Sequence, residues 1–224
     1  MTQLHDADVK GGHRGARDHE LVESEVQPKP LVLAPAADPG PLGLAAFAVT
    51  TFLLSAKNAG WTDGSGDAWL GFALAYGGGT QLLAGMWEFR NRNVFGATAF
   101  SSYGGFWIGL GLYVLLAAPK AKNVTQEQND LGWILLAFTI FTAYMLLWSS
   151  QVNTAVFLVF FVLEVTFIVL TLGEFSSNTS TLKLGGMLGV LTAACAWYAS
   201  AAGVINNMTT RTVLPVGKPM GIAQ

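Results

Sequence analysis

The stretch Asp38-Pro-Gly-Pro-Leu-Gly-Leu44 is where this chain changes character. The residues before it are polar, broken by proline and short of aromatics. Those after it, as far as about Met208, are long apolar segments joined by short polar loops. Two prolines and two glycines in five residues can still open a helix, because the N–H that proline lacks has no partner in a first helical turn anyway. Asp38 stands where an N-cap belongs. A helix starting there presents free N–H groups and a positive dipole end, so Pro39, Leu42 and Gly43 become candidate contacts for a small anion at membrane depth.

Composition supports the membrane setting. Of 224 residues, 52% are hydrophobic and only 12% charged, against about 25% charged in a soluble domain. The 26 glycines suit helices that approach closely in a bilayer. A net charge of −2 gives no basic surface for nucleic acid. Cys195 is the single cysteine and lies in an apolar run, while His5, His13 and His19 all precede the apolar region. The core therefore has no set of metal ligands, no haem ligand and no His-based dyad, so no metal, no cofactor and no enzyme activity are expected.

Residues 1–37 lack a sustained apolar period and read as a disordered polar tail, with Leu31-Val-Leu33 at the membrane surface. No apolar run follows the early charges, so they do not read as a signal peptide. Six apolar segments follow in a 38–208 membrane domain: 41–57, 68–87, 95–118, 131–150, 152–172 and 182–205. Each is near the ~20 residues that span a bilayer. The fourth and fifth are separated only by Ser149-Ser-Gln-Val-Asn153, which reads as a tight turn rather than the middle of one long helix. Residues 209–224 form a short C-terminal tail. An even number of spans puts both termini on one side. Five Lys or Arg residues flank the spans on that side against four on the other, which votes for cytoplasmic termini.

Polar side chains within such spans are costly, and function is the usual reason for keeping them. Thr50, Thr51 and Ser55 lie one turn apart in the first span, although such hydroxyls also bond back to their own helix. Gln81 is mid-membrane and needs a partner on another helix. Glu88, seven residues on, has either a substrate role or a salt bridge with neighbouring arginines. In the third span Thr98, Ser101 and Ser102 form one stripe beside Tyr103, suited to a pore lining or to a polar helix contact. Glu164 lies mid-span in the fifth segment. An ionised carboxylate there is costly unless paired or hydrated, so it is either a proton-carrying group or a helix–helix contact.

These residues resemble the acetate uptake transporter family, the succinate–acetate permeases of microbes. The resemblance rests on Asp38-Pro-Gly-Pro-Leu-Gly-Leu44, Tyr76-Gly-Gly78, Gln81, Ala84-Gly85, Glu88-Phe89, Asn93, Phe95-Gly96, Thr98-Ala-Phe100, Ser102-Tyr-Gly104, Phe106-Trp107 and Arg211-Thr-Val-Leu-Pro215. It implies an all-α integral membrane protein with six transmembrane helices per protomer around a narrow substrate path, assembled as a homo-hexamer in the plasma membrane. The implied substrates are acetate and other small carboxylates, including succinate, moved by an anion channel or a proton-coupled permease. By motif, Phe47, Tyr103 and Leu163 match the family's constriction, and Ala196 matches the small sixth-helix position that shapes the path. Asp38 replaces the motif's Asn and Gly40 replaces its Ala, and Glu164 is unexpected beside the constriction leucine. Asp38, Glu88 and Glu164 are accordingly candidates for proton coupling. The alternative is a membrane carboxylate sensor or ammonium-handling protein that does not itself pass acetate.

Overall fold

The computed structural model describes residues 36–63 and 67–221. The expectations for residues 1–35, including Leu31–Leu33 at the membrane surface, lie outside the described residues.

Among the described residues six helical rods run in chain order. Helix α1 is Gly40–Asn58. Helix α2 joins Trp69–Phe72, Ala73–Thr80 and Gln81–Arg90. Helices α3 to α6 are Val94–Lys120, Val124–Ser149, Thr154–Phe175 and Thr179–Met208. By length and composition α1 and α3 to α6 can each cross a membrane. Helix α2 reaches a comparable length because the backbone stays right-handed helical through both of its junctions, at Ala73 and Gln81. The segment boundaries read from hydropathy are short for α4 and α6, because amphipathic first turns continue the helix past the apolar run.

The central section of α2, Ala73–Thr80, is π-helical. It contains Gly77-Gly-Gly79, where missing side chains let Thr50 of α1 and Ile108 of α3 press against the α2 backbone. The Thr80 hydroxyl donates to the Ala75 carbonyl, five residues back, at 3.2 Å. Wide turns of this kind arise where the i→i−4 ladder is locally displaced.

Asparagine opens four of the rods. The side chains of Asn93, Asn123, Asn153 and Asn178 accept hydrogen bonds from the first-turn N–H groups of α3, α4, α5 and α6, relieving donors that a membrane would otherwise leave unpaired. Between α4 and α5 the chain turns sharply, and Ser149 and Ser150 return their hydroxyls to the carbonyls of Leu146 and Leu147 at 2.6 Å each. The fourth and fifth segments are separate helices.

Helix α1 packs on α6 and α2, and α5 lies between α4 and α6. The α1–α6 contact is close: a Cβ at Gly186 would meet the backbone of Ala59, and one at Gly189 would meet the Ser55 hydroxyl. Hydroxyl pairs link the rods at Thr166–Thr192 (3.0 Å) and Thr139–Thr171 (3.2 Å). Interhelical hydrogen bonds in membranes average only about 0.6 kcal/mol, so close packing carries more of the association. Aromatic rings of Tyr103, Phe106, Phe138 and Phe167 fill the interior, with Phe106 and Phe138 centroids 4.6 Å apart. Leu83, Ile140, Leu147 and Leu172 are largely exposed on the outside, as lipid-facing positions are.

The segment after α6 is tied down. The Asn206 amide donates to the Leu214 carbonyl at 2.8 Å, and its oxygen accepts from the N–H groups of Val213 and Leu214. Tyr198 donates to the Pro215 carbonyl at 2.7 Å. The Ala155 N–H, in the first turn of α5, donates to the Val216 carbonyl at 2.9 Å, and the Met220 N–H to the Ser150 carbonyl at 2.8 Å. Residues 211–220 thus form a strap across the start of α5 and the end of α6.

Candidate functional site

One cavity of about 340 Å³ lies among α1, α3, α5 and α6. Its wall repeats at helical spacing. Helix α1 contributes Gly40, Leu44 and Phe47, α3 contributes Gly96, Ala99 and Tyr103, and α5 contributes Val156, Val159 and Leu163. Each set follows i, i+3/i+4, i+7, the rule for one helix face. All three helices enter the cavity by their N-terminal ends, and Phe47, Tyr103 and Leu163 are the deepest wall residues on each. From first turn to these three residues the rise is about 10–15 Å at 1.5 Å per residue. All three side chains are buried, and the rings of Phe47 and Tyr103 are 5.8 Å apart. The C-terminal strap adds Val216 to the wall, and α6 adds Ala199, Ala202 and Asn206.

The mouth is polar and acidic. Asp38 and Glu88 line it together with Asn93, Asn153, Asn206 and Asn207. Among the described residues of the wall there is no Lys or Arg. Glu88 is only 3% exposed, and its Oε2 accepts from the Asn93 amide at 2.9 Å. Asn93 in turn caps Gly96 of α3 at 3.1 Å. The Glu88 carboxyl is wedged against Gly96, where a Cβ would come within 2.8 Å of it. It also lies by Gly40, whose Cβ would stand 3.0 Å from Asp38 Oδ1 and 3.6 Å from Glu88 Oε1. The starts of α1 and α3, with their partial positive charge, therefore flank the Glu88 carboxyl.

The first turn of α1 has less to offer an anion than its sequence suggests. Pro39, not Asp38, is the N-cap residue. Asp38 Oδ1 accepts from the Gly40 N–H at 2.8 Å, Pro41 has no N–H, and the Gly43 N–H bonds to the Pro39 carbonyl at 3.0 Å. Only the Leu42 N–H is left, and Leu42 is exposed and outside the cavity. Pro39 and Gly43 are outside it as well, with Gly43 pressed against the Phe100 ring.

The hydroxyl stripes of α1 and α3 also lie off the wall. Thr50 is fully buried and donates to the Phe72 carbonyl on α2 at 3.4 Å. Thr51 is buried, and Ser101 abuts Gly85 of α2; neither hydroxyl has a hydrogen-bond partner among the described residues. Thr98 and Ser102 are likewise absent from the wall. The physical reason is rotational: on α3 the small residues Gly96 and Ala99 with Tyr103 face the cavity, and Ser101 is turned toward α2. Gln81 is 1% exposed on α2, outside the cavity, with Oε1 unpartnered among the described residues. Ala196 is fully buried in the apolar cluster that includes Phe47, Tyr103 and Leu163, and Ala199 and Ala202 take the cavity positions of α6. Glu164 follows Leu163 and is rotated about 100° from it. It is outside the cavity, its Oε2 buried and unpartnered among the described residues.

Asn153 and Val216 were not singled out in the sequence. Asn153 had a legible signal as a capping residue before an apolar run, since asparagine is a strong N-cap. Val216 had none, because its place depends on the fold-back of the strap.

The chain matches the family model described as the GPR1/FUN34/yaaH family over residues 22–219. It is 39% identical over 195 residues to acetate permease A of Emericella nidulans, an alignment covering 80% of this chain and 65% of that protein. It is 37% identical over 184 residues to the succinate-acetate/proton symporter SatP of Escherichia coli strain K12, covering 81% of this chain and 96% of that one. A solved structure of the bacterial acetate channel SatP superposes with a TM-score of 0.75 at 35% identity, covering 81% of this chain and 99% of the other. The chain spans about two thirds of the length of the Emericella permease. Together with the six apolar rods, these matches mark a membrane protein, and the chain belongs to the GPR1/FUN34/yaaH family.

Proposed function

We propose that this protein passes acetate and related short-chain carboxylates across a membrane, through the cavity and between Phe47, Tyr103 and Leu163. The observation that carries the reading is the convergence of three helix faces on those three apolar side chains at the bottom of one polar-mouthed cavity. The names of the relatives, a permease, a symporter and a channel, support transport rather than catalysis. In this reading the positive dipole ends of α3 and α5 draw a carboxylate into the mouth, and the Asn153 amide, whose N–H groups have no partner among the described residues, helps replace its water. The constriction then favours a methyl tail over larger or doubly charged acids, because each added polar group must be desolvated there. The proposal includes a homo-hexamer in the plasma membrane with cytoplasmic termini.

Purified protein in liposomes tests it. Labelled acetate should accumulate in protein-containing vesicles well above empty ones, with lactate and succinate slower. Vesicles that pass ammonium but no acetate would replace this reading with ammonium handling, and binding without flux would replace it with a sensor. Mass photometry of detergent-solubilised protein reads the subunit number.

A further inference from the structure

Glu88 is a carboxyl group with an unusual setting. It is almost entirely buried yet forms part of the cavity wall. Asn93 holds Oε2, and Oε1 has no hydrogen-bond partner among the described residues. No Lys or Arg among the described wall residues balances its charge or that of an entering carboxylate. The titratable group that faces it is Asp38, ahead of α1. The wall polar groups from α3, α5 and α6 are the amides of Asn93, Asn153, Asn206 and Asn207, none of which titrates. The close approach at Gly96 holds the carboxyl in place between the starts of α1 and α3.

We propose that Glu88 is the group through which a proton accompanies the substrate's carboxyl group into the constriction, with Asn93 as its positioning residue. The inference rests on the transport reading above. Two ionised carboxylates repel in a cavity without cations, but a carboxylic acid beside a carboxylate forms a short, charge-assisted hydrogen bond. A proton on Glu88 Oε1 meets the substrate oxygen and passes to it, and the substrate continues as the neutral acid. A neutral acid crosses the apolar gate at far lower cost than an anion. Glu88, left ionised, takes its next proton from the solution at the mouth, so one proton and one carboxylate move per cycle. Glu164 has no part in this, since it lies outside the cavity.

The test uses the full chain in liposomes, with labelled acetate at fixed concentration, external pH varied, and a pH gradient imposed or collapsed. Wild type should respond to the gradient. Glu88→Gln should lose that response and lower uptake by about a hundredfold, the lower end of what a positioned proton donor contributes. Glu164→Gln should keep the wild-type profile. Asp38→Asn, which alters an exposed position and tests the pair without touching the buried carboxyl, should move the pH profile to lower pH, because removing a facing negative charge makes Glu88 release its proton more readily. A gradient response that survives Glu88→Gln, or is lost in Glu164→Gln, overturns the inference. An unmoved profile in Asp38→Asn does so too. Wild-type flux that ignores the gradient overturns the role of Glu88 and leaves transport standing, whereas wild type that passes no acetate at any pH overturns the transport reading itself.

Discussion

The Tyr103 hydroxyl lies 2.8 Å from the hydroxyl of Thr142, so this cavity-wall residue of α3 is held by a helix that does not itself line the cavity. Both groups are buried, and edge-on or tilted rings of Phe141, Phe138 and Phe160 surround the tyrosine. The position of the Tyr103 ring on the cavity wall is thus set from behind, by a hydrogen bond and by aromatic packing that leaves it little room to rotate.

Thr142→Val keeps the shape of that side chain and removes the partner. A buried hydroxyl left without one costs about 1–3 kcal/mol, so the melting temperature in detergent should fall, and acetate-over-lactate selectivity should fall with it. Adding Tyr103→Phe removes the orphaned hydroxyl and should recover part of the stability. A double-mutant cycle showing no coupling between the two positions would contradict this account.

Leu163→Ala opens the constriction from the α5 side. Truncating a buried leucine costs about 2–5 kcal/mol where the site cannot collapse. The expected functional result is faster uptake of lactate relative to acetate in labelled-substrate competition. An unchanged ratio would remove Leu163 from the gate.

Gly186→Ala should destabilise the α1–α6 contact, because the new methyl meets backbone at Ala59 rather than a movable side chain. Overpacking of this kind costs about 1–3 kcal/mol. Gly105→Ala is the control, since nothing lies within 4 Å of a Cβ there. Thermal aggregation curves of the two variants should separate clearly, with Gly105→Ala at or above wild type.

Asn206→Ala should loosen the C-terminal strap by removing three hydrogen bonds to residues 213 and 214. Brief trypsin treatment should then cut at the exposed Arg211 several times faster, because local opening governs such cleavage. With Val216 freed from the cavity wall, substrate selectivity should broaden as well. Equal cleavage rates would show that the strap is held mainly by its contacts with α5.

Much of the architecture was legible in the residues. The apolar runs marked all six rods, and the Ser149–Asn153 turn separated the fourth from the fifth. The family resemblance pointed to Phe47, Tyr103 and Leu163, and the structure brings these three to the wall of one cavity. The polar assignments were less so. Thr50 and Ser101 read either as path hydroxyls or as helix contacts and stand between helices, and Gln81 is buried away from the cavity. A membrane helix has apolar surroundings on its lipid side and its packed side alike, so hydropathy does not reveal which face turns inward.

The sequence by itself determined the number and order of the rods, the asparagine caps that begin four of them, and the spacing that puts Gly40, Leu44 and Phe47 on one face. These are local properties: chain length against bilayer thickness, side-chain reach to the nearest free N–H, and the helical period. Only the tertiary structure decided that Asp38 borders the cavity, that Glu88 rather than Glu164 lines it, and that Val216 folds back to close its wall. Each of those depends on how neighbouring helices are rotated about their axes. That rotation is set by where glycines such as Gly96, Gly186 and Gly189 let two backbones meet, and no stretch of chain carries it alone.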